Sequence, residues 1–469
     1  MTDYPLEPDE EQMRALGVRA LEFIVGFTSS LPDAPHVDLD GLQEALARAR
    51  VDAPETGSGF DRLLDQFALA ARKAFNPAGP GYFAFIPGGG LFTAAIADLL
   101  SLSVNRFVNL WNAAPVFAAM EADVIRWICG MFDYPSQARG IVTSGGSMSN
   151  LSAIVTARTA KLQEDFLDGC LYVTDQTHAS VAKAVAIAGF PARALRVVPV
   201  TPELRMDADA LQALVEEDRA GGRKPFLVVA SAGTTNIGAI DPLGALADIC
   251  ATHDLWLHAD AAYGGFFALT ERGRSRLAGI ERADSITLDP HKTLFLPYGT
   301  GVLIVREGER LRQAHRAKGD YLQDLAPEGD IPNFTDYSPE LSRDFRGFRV
   351  WLPLKLHGIS AFRTALDEKL DLTEVLYDAL RATEGFDVPW RPELTVVPFR
   401  YLPAGGDADA FNQRLLERIN ASQRIFLSST RLNGDFWLRA CIVSHRTHRD
   451  RVDEAIEIIT SAARALDAS

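Results

Sequence analysis

Two stretches near the amino terminus repeat apolar residues at intervals of three and four. Met13, Leu16, Ala20, Leu21, Ile24 and Phe27 share one face, and so do Leu63, Leu64, Phe67, Ala71 and Phe75. Charged residues fill the gaps, so both stretches predict amphipathic helices, with turn-rich segments at 31–35 and 53–59. Such a pair cannot bury both apolar stripes alone, and a partner subunit is the expected cover. From about residue 140 the pattern changes to short β-branched runs. Residues 171–174, 195–200, 226–231 and 255–260 predict buried strands, and 181–188, 208–217 and 243–252 predict the helices between them. That alternation predicts a mostly parallel α/β sheet covered on both faces, with ligands gathered at the carboxyl ends of its strands. From about Ser360 the rhythm becomes helix, strand 394–400, helix from Asp407, strands 425–429 and 436–443, and a closing helix, which is a compact α+β unit. The predicted organisation is therefore a helical arm at 1–85 that packs on a partner, a large α/β domain at 86–355 and a small α+β domain at 356–469. The interval 316–343 is rich in Asp, Gly and Pro without a clear period, so it predicts a long functional loop.

Composition narrows the ligand. The 469 residues are 47% hydrophobic and 23% charged, which excludes disorder over most of the chain. A formal charge of −15 opposes binding to nucleic acid or anionic lipid, so a small neutral or zwitterionic ligand is expected. The four cysteines, Cys129, Cys170, Cys250 and Cys441, stand too far apart for a zinc site and too few to frame the chain, so reduced core thiols and no metal are expected. The acidic start lacks the basic-then-apolar pattern of a leader, and Asp98, Asn105 and Arg106 break the most apolar run, 91–108. No run reaches the roughly 18 to 20 residues that cross a bilayer. A cytoplasmic protein without a membrane role is expected.

Five segments carry candidate chemistry. Asp289-Pro290-His291-Lys292 follows the apolar run 285–288 and puts an amine at a strand end, where burial favours a nucleophile toward aldehydes. His258-Ala259-Asp260-Ala261-Ala262 closes the strand at 255–260; an aspartate there needs a cationic or hydrogen-bonding partner, such as a pyridinium nitrogen or the turn's own amides. Gly145-Gly146-Ser147 precedes the helical run 151–161 and suits an anion, although a simple capped helix start has the same composition. His178 follows one strand and opens a helix, and Gly233-Thr234-Thr235 follows another. All five fall at the strand ends where an α/β sheet assembles a cofactor site.

Taken in order between residues 80 and 351, the segments 83–87, 143–150, 175–180, 233–241, 255–265, 289–292 and 335–337 resemble the group II amino-acid decarboxylases. These are pyridoxal-5′-phosphate enzymes of fold type I, and the aromatic-L-amino-acid branch is nearest. The resemblance implies an aspartate-aminotransferase-like fold, a homodimer and an L-amino-acid substrate, first an aromatic one. It implies that Lys292 holds the cofactor as a Schiff base, that Asp260 pairs with the ring nitrogen and that His178 stacks on the ring. Gly146 and Ser147 fall at the phosphate, Thr235 and Ala262 around the ring, and His291 near phosphate and substrate. Tyr337 matches the family's loop tyrosine, which protonates the substrate carbon after CO2 leaves; a phenylalanine there goes with oxidative aldehyde formation. Phe85, Ile86, Pro87 and Gly88 match the stretch that faces the substrate side chain. Phe107, Asn109 and Trp111 match residues that reach in from the other subunit. Asn109 replaces an aromatic residue and points either to a ring hydroxyl or to a smaller, more polar substrate, and Asp289 replaces an asparagine at the phosphate. Transamination, aldol cleavage and a non-catalytic cofactor-binding role are the alternatives, because the same lysine, aspartate and phosphate cup serve every reaction of this fold.

Overall fold

The computed structural model describes residues 4, 6–162, 164–316 and 331–468. Half of the loop expected at 316–343, residues 317–330, therefore lies outside the described residues. Among those described, seven strands form the central sheet: β1 (Arg139–Thr143), β2 (Gly169–Val173), β3 (Leu195–Val197), β4 (Lys224–Ser231), β5 (Trp256–Asp260), β6 (Ser285–Leu288) and β7 (Gly301–Val305), in the order β1-β7-β6-β5-β4-β2-β3. Only β7 runs antiparallel to its neighbours, β1 and β6; the remaining pairings are parallel. The expected mostly parallel sheet is what the chain forms. Residues Phe226 to Val229 and Val302 to Val305 are fully buried, because helices cover both faces.

The helix Leu243–Thr252 has the bounds its apolar spacing predicts, and Ala208–Ala220 begins where Asp207 caps the Ala210 amide. The long helix Gly347–Arg381 is interrupted at Gly358, whose φ of 74° and ψ of 154° separate two helical runs. A second sheet follows: β8 (Phe386–Asp387), β9 (Val396–Tyr401), β10 (Ser428–Leu432) and β11 (Asp435–Cys441), antiparallel throughout in the order β10-β11-β9-β8. The strand expected at 425–429 begins three residues later. Residues 425–427 are extended but are held elsewhere: the Phe426 amide donates to Gly81 and the Phe83 amide to Phe426, both at 2.9 Å.

At the amino end the helices Glu10–Ser30 and Phe60–Arg72 stand where periodicity places them, with Leu42–Ala49 between. None of the three contains a buried residue. Met13, Leu21 and Phe67 are 55%, 45% and 61% exposed, so one chain leaves the apolar stripes uncovered. The helix Phe92–Val104 is likewise open along Leu99, Leu100 and Leu102. No helix among the described residues is long and apolar enough to cross a membrane.

Candidate active site

Because β1, β2, β4, β5 and β6 point the same way, the loops that leave them meet along one edge of the sheet. There they enclose a cavity of about 390 Å³, within the range of small-molecule sites. After β1 come Gly145, Gly146 and Ser147; after β2, His178 and Ser180; after β4, Gly233 to Thr235; from the end of β5, Asp260, Ala262 and Tyr263; after β6, Asp289, His291 and Lys292. All nine residues expected around the cofactor line this one space. Gly233 holds a φ of 108°, and a Cβ there would lie 2.9 Å from both Leu394 and Tyr263, so the turn after β4 requires glycine. The small unit clamps the walls. Arg439 of β11 donates to the Thr235 carbonyl at 2.6 Å and to Ser428 Oγ at 2.9 Å, and the Tyr263 hydroxyl meets Thr395 Oγ1 at 2.7 Å.

Asp260 is buried with both oxygens in use. Oδ1 accepts from the Ala262 amide at 3.2 Å and Oδ2 from Asn150 Nδ2 at 2.9 Å, which leaves each oxygen a lone pair for a cationic partner. Behind it His258 is fully buried, and burial pushes its imidazole well below the ordinary value while the nearby Asp260 charge opposes that shift. His178 caps the helix Ala179–Ile187, accepting at Nδ1 from the Ser180 amide.

At the other end, Gly146 starts a 16-residue helix, and a Cβ on it would approach Asp289 Oδ2 to 3.0 Å and the Ala262 methyl to 3.2 Å. This crowding keeps the backbone bare beside Ser147, as an anion cradle at a helix start requires. Asp289 brings a negative charge to the same end, and its partner is Lys292, whose Nζ lies 3.0 Å from Oδ2; Oδ1 is buried with no partner. His291 Nδ1 faces the Thr300 carbonyl at 2.7 Å, and because a carbonyl only accepts, that nitrogen carries the hydrogen and donates it. Burial lowers the His291 pKa, so Nε2, 3.6 Å from Asp289, stays unprotonated near neutrality. An amine, an anion cradle and a buried carboxylate with spare lone pairs in one cavity fit an aldehyde cofactor that carries a phosphate and a basic ring nitrogen.

The other expected residues do not join this lining. Tyr337 is buried among Phe334 and Phe345, and burial raises its pKa. Ile86 and Pro87 are buried and Phe85 is 55% exposed with φ 54°. Gly88 touches the rim, since a Cβ there would lie 2.9 Å from the His291 carbonyl. Phe107 is 38% exposed and Trp111 half-buried. Asn109 is buried, and its Oδ1 has no partner among the described residues. Both of its amide hydrogens go to the carbonyls of Glu340 and Leu341, at 3.3 and 2.9 Å, which leaves the oxygen as the atom free to accept. Sequence reasoning assigned no role to Asn150, Ser180 or Tyr298, which line the cavity. Asn150 and Ser180 had a signal, as polar residues in the apolar halves of helix starts; Tyr298 had none.

Residues 46–402 match the family model described as the pyridoxal-dependent decarboxylase conserved domain. The chain is 36% identical to an aromatic-L-amino-acid decarboxylase of Bacillus atrophaeus, over 99% of this chain and 98% of that protein. It is 29% identical to tryptophan decarboxylase 1 of Oryza sativa subsp. japonica, over 98% and 94%. The crystal structure of Oryza sativa TDC with PLP and tryptamine superposes with a TM-score of 0.91 at 27% identity, covering 99% of both chains.

Proposed function

The chain belongs to the pyridoxal-dependent decarboxylase family and removes the carboxyl group of an amino acid with pyridoxal 5′-phosphate, and from that premise we propose how its own residues divide the work. Lys292 holds the cofactor covalently through Nζ. Asp260 would meet the ring nitrogen and keep it protonated through a charge-assisted contact. Gly146 and Ser147 take the phosphate at the helix start, and Thr235, Ala262 and His178 confine the ring. Bound in this way, pyridoxal phosphate supplies an electron sink for the pair released as CO2 leaves. The convergence of Lys292, Asp260 and His178 on one cavity carries this reading.

Asp289, 3.0 Å from Nζ, would orient the Lys292 amine and offset its charge whenever that amine is free. Tyr337 gives the proton that replaces CO2. Its raised pKa keeps the hydroxyl protonated, and because it does not line the cavity of its own chain, it would reach a substrate either by a movement of its segment or at the mouth of a paired subunit. We assign an aromatic L-amino acid as first substrate, with Phe85 to Gly88 forming part of an apolar wall. The relatives' names and the apolar character of that stretch support this choice.

The working unit is a homodimer. Its support is the uncovered apolar faces of the three amino-terminal helices and of Phe92–Val104, and a second copy is the natural cover for residues repeated on every chain. The four buried free thiols fit a reducing compartment, the cytoplasm. Trapping CO2 from a panel of L-amino acids tests the assignment: the reading predicts stoichiometric amine and CO2, greatest with an aromatic substrate. Keto acid or a retro-aldol aldehyde without CO2 would contradict it.

A further inference from the structure

Strand alternation puts Trp256, His258 and Asp260 of β5 on one face of the sheet, and the parallel register sets His258 opposite Ser285 of β6. Asn150, on the first turns of the helix that covers this face, comes down between them. The resulting chain of contacts is continuous and buried. Trp256 Nε1 lies 2.8 Å from Ser285 Oγ, which lies 2.8 Å from His258 Nδ1; His258 Nε2 lies 3.0 Å from Asn150 Oδ1. Asn150 Nδ2 then branches, to Asp260 Oδ2 at 2.9 Å and to Ser180 Oγ at 3.0 Å, and Ser180 Oγ continues to His178 Nδ1 at 2.7 Å.

The direction of every link follows from what each atom can do. An indole nitrogen only donates, so Ser285 Oγ accepts from Trp256; a carboxylate only accepts, so Asp260 takes Asn150 Nδ2 and leaves Asn150 Oδ1 to His258 Nε2, and the neutral imidazole accepts the Ser285 hydrogen at Nδ1. The ring hydrogen of His258 is then on Nε2 and goes to the Asn150 oxygen, with Thr287 Oγ1 at 3.4 Å as a lesser neighbour. The reverse amide orientation would set the Asn150 oxygen against the Asp260 carboxylate. Both amide hydrogens point forward, one to Asp260 and one to Ser180. Ser180, having accepted, donates to His178 Nδ1, which also accepts the Ser180 amide at 3.3 Å. The hydrogen of His178 therefore sits on Nε2, the nitrogen left for the cavity.

We propose that Asn150 is a positioning residue that fixes two groups at once: the Asp260 carboxylate that meets the ring nitrogen, and the His178 imidazole, held with Nε2–H as a donor to the substrate. This deepens the reading in which Asp260 and His178 serve the cofactor, and rests on it. The order of the chain makes the two arms separable. Removing the Asn150 amide disturbs both, whereas removing the Ser180 hydroxyl disturbs His178 alone.

The test compares purified Asn150→Ala, Asn150→Asp, Ser180→Ala and Asp260→Ala with the parent, each resolved to apoprotein and titrated with pyridoxal phosphate. Asn150→Ala is expected to weaken cofactor binding about tenfold to a hundredfold, the loss that follows removal of one hydrogen bond to a charged group, and to shift the visible band of the bound cofactor. Asn150→Asp, which sets a carboxylate against Asp260, should weaken binding further. Ser180→Ala should keep the band position, weaken cofactor binding less than either Asn150 variant, and change KM and kcat with substrate. If either Asn150 variant fails to fold, the other and the Ser180→Ala split still decide. Parent-like affinity and band in the Asn150 variants, alongside a loss in Asp260→Ala, would overturn this proposal alone. Unchanged cofactor affinity in Asp260→Ala would instead overturn the reading beneath it. A lower melting temperature in Asn150→Ala with an unshifted band would assign Asn150 to packing only.

Discussion

The segment that bears Tyr337 is fastened through a buried ion pair, and Arg343→Met tests what that fastening is worth. Glu121 and Arg343 are both fully buried. Arg343 donates to both Glu121 oxygens, at 3.1 Å for Nη1 to Oε2, and the Gly347 amide adds a third donor at 3.2 Å. The guanidinium also lies 5.3 Å from the centre of the Phe334 ring. Removing Arg343 leaves the Glu121 carboxylate with one backbone donor in an apolar setting, a loss of about 3–5 kcal/mol for a broken buried pair. A chain of this size does not unfold in one step, so the loss is best read locally, by hydrogen exchange of amides 333–347. At about 1.4 kcal/mol per factor of ten, their exchange should accelerate by roughly two to three and a half orders of magnitude. The double variant Glu121→Leu with Arg343→Met removes both charges and should recover most of that protection. Because neither residue lines the cavity, cofactor affinity should hold while amine formation falls with the loosened Tyr337. Unchanged exchange in the single variant, or a double variant as open as the single, would refute the reasoning.

Tyr337→Phe should bind pyridoxal phosphate as the parent does and lose amine output by about a hundred- to ten-thousand-fold, the span of general acid catalysis; unchanged amine release would remove the proton-donor role. Acid should destabilise the fold in a defined window. Burial holds the imidazoles of His36, His258, His291 and His315 below the ordinary value, and takes His445 down to about 3. An unfolded chain protonates these groups near pH 6.5, so below about that pH the unfolded state binds more protons and stability falls as pH drops toward the folded values, by about 1.4 kcal/mol per pH unit for each such histidine. The unfolding midpoint should be steady above about pH 7 and decline below 6.5, less steeply in His445→Gln; a midpoint unchanged between about pH 7 and 5 would contradict the buried neutral histidines.

The strands that carry the chemistry were readable because each is a short apolar run with a polar residue at or just beyond its carboxyl end, as with Asp260 in Trp256–Asp260 and Asp289 after Ser285–Leu288. Gly301–Val305 escaped that reading. It is an antiparallel strand inserted between β1 and β6, and its place depends on pairing with residues about 160 positions earlier in the chain. The shift of 425–429 to Ser428–Leu432 has the same origin, since Gly81 and Phe83 claim the backbone of Phe426. The cofactor residues were legible because each lies within a few residues of a strand end. Asn109 was not, because its surroundings are set by Glu340 and Leu341, far along the chain, rather than by its apolar neighbours. The hydrogen-bond chain through His258 and Asn150 likewise exists only once two strands and a helix are stacked.

The most direct measurement is to reduce the holoenzyme with borohydride, digest it and locate the cofactor by mass spectrometry. The account predicts one reduced pyridoxyl phosphate group per chain on the peptide that contains Lys292, and none in Lys292→Ala. A label on a different lysine, or an undiminished label in that variant, would contradict it.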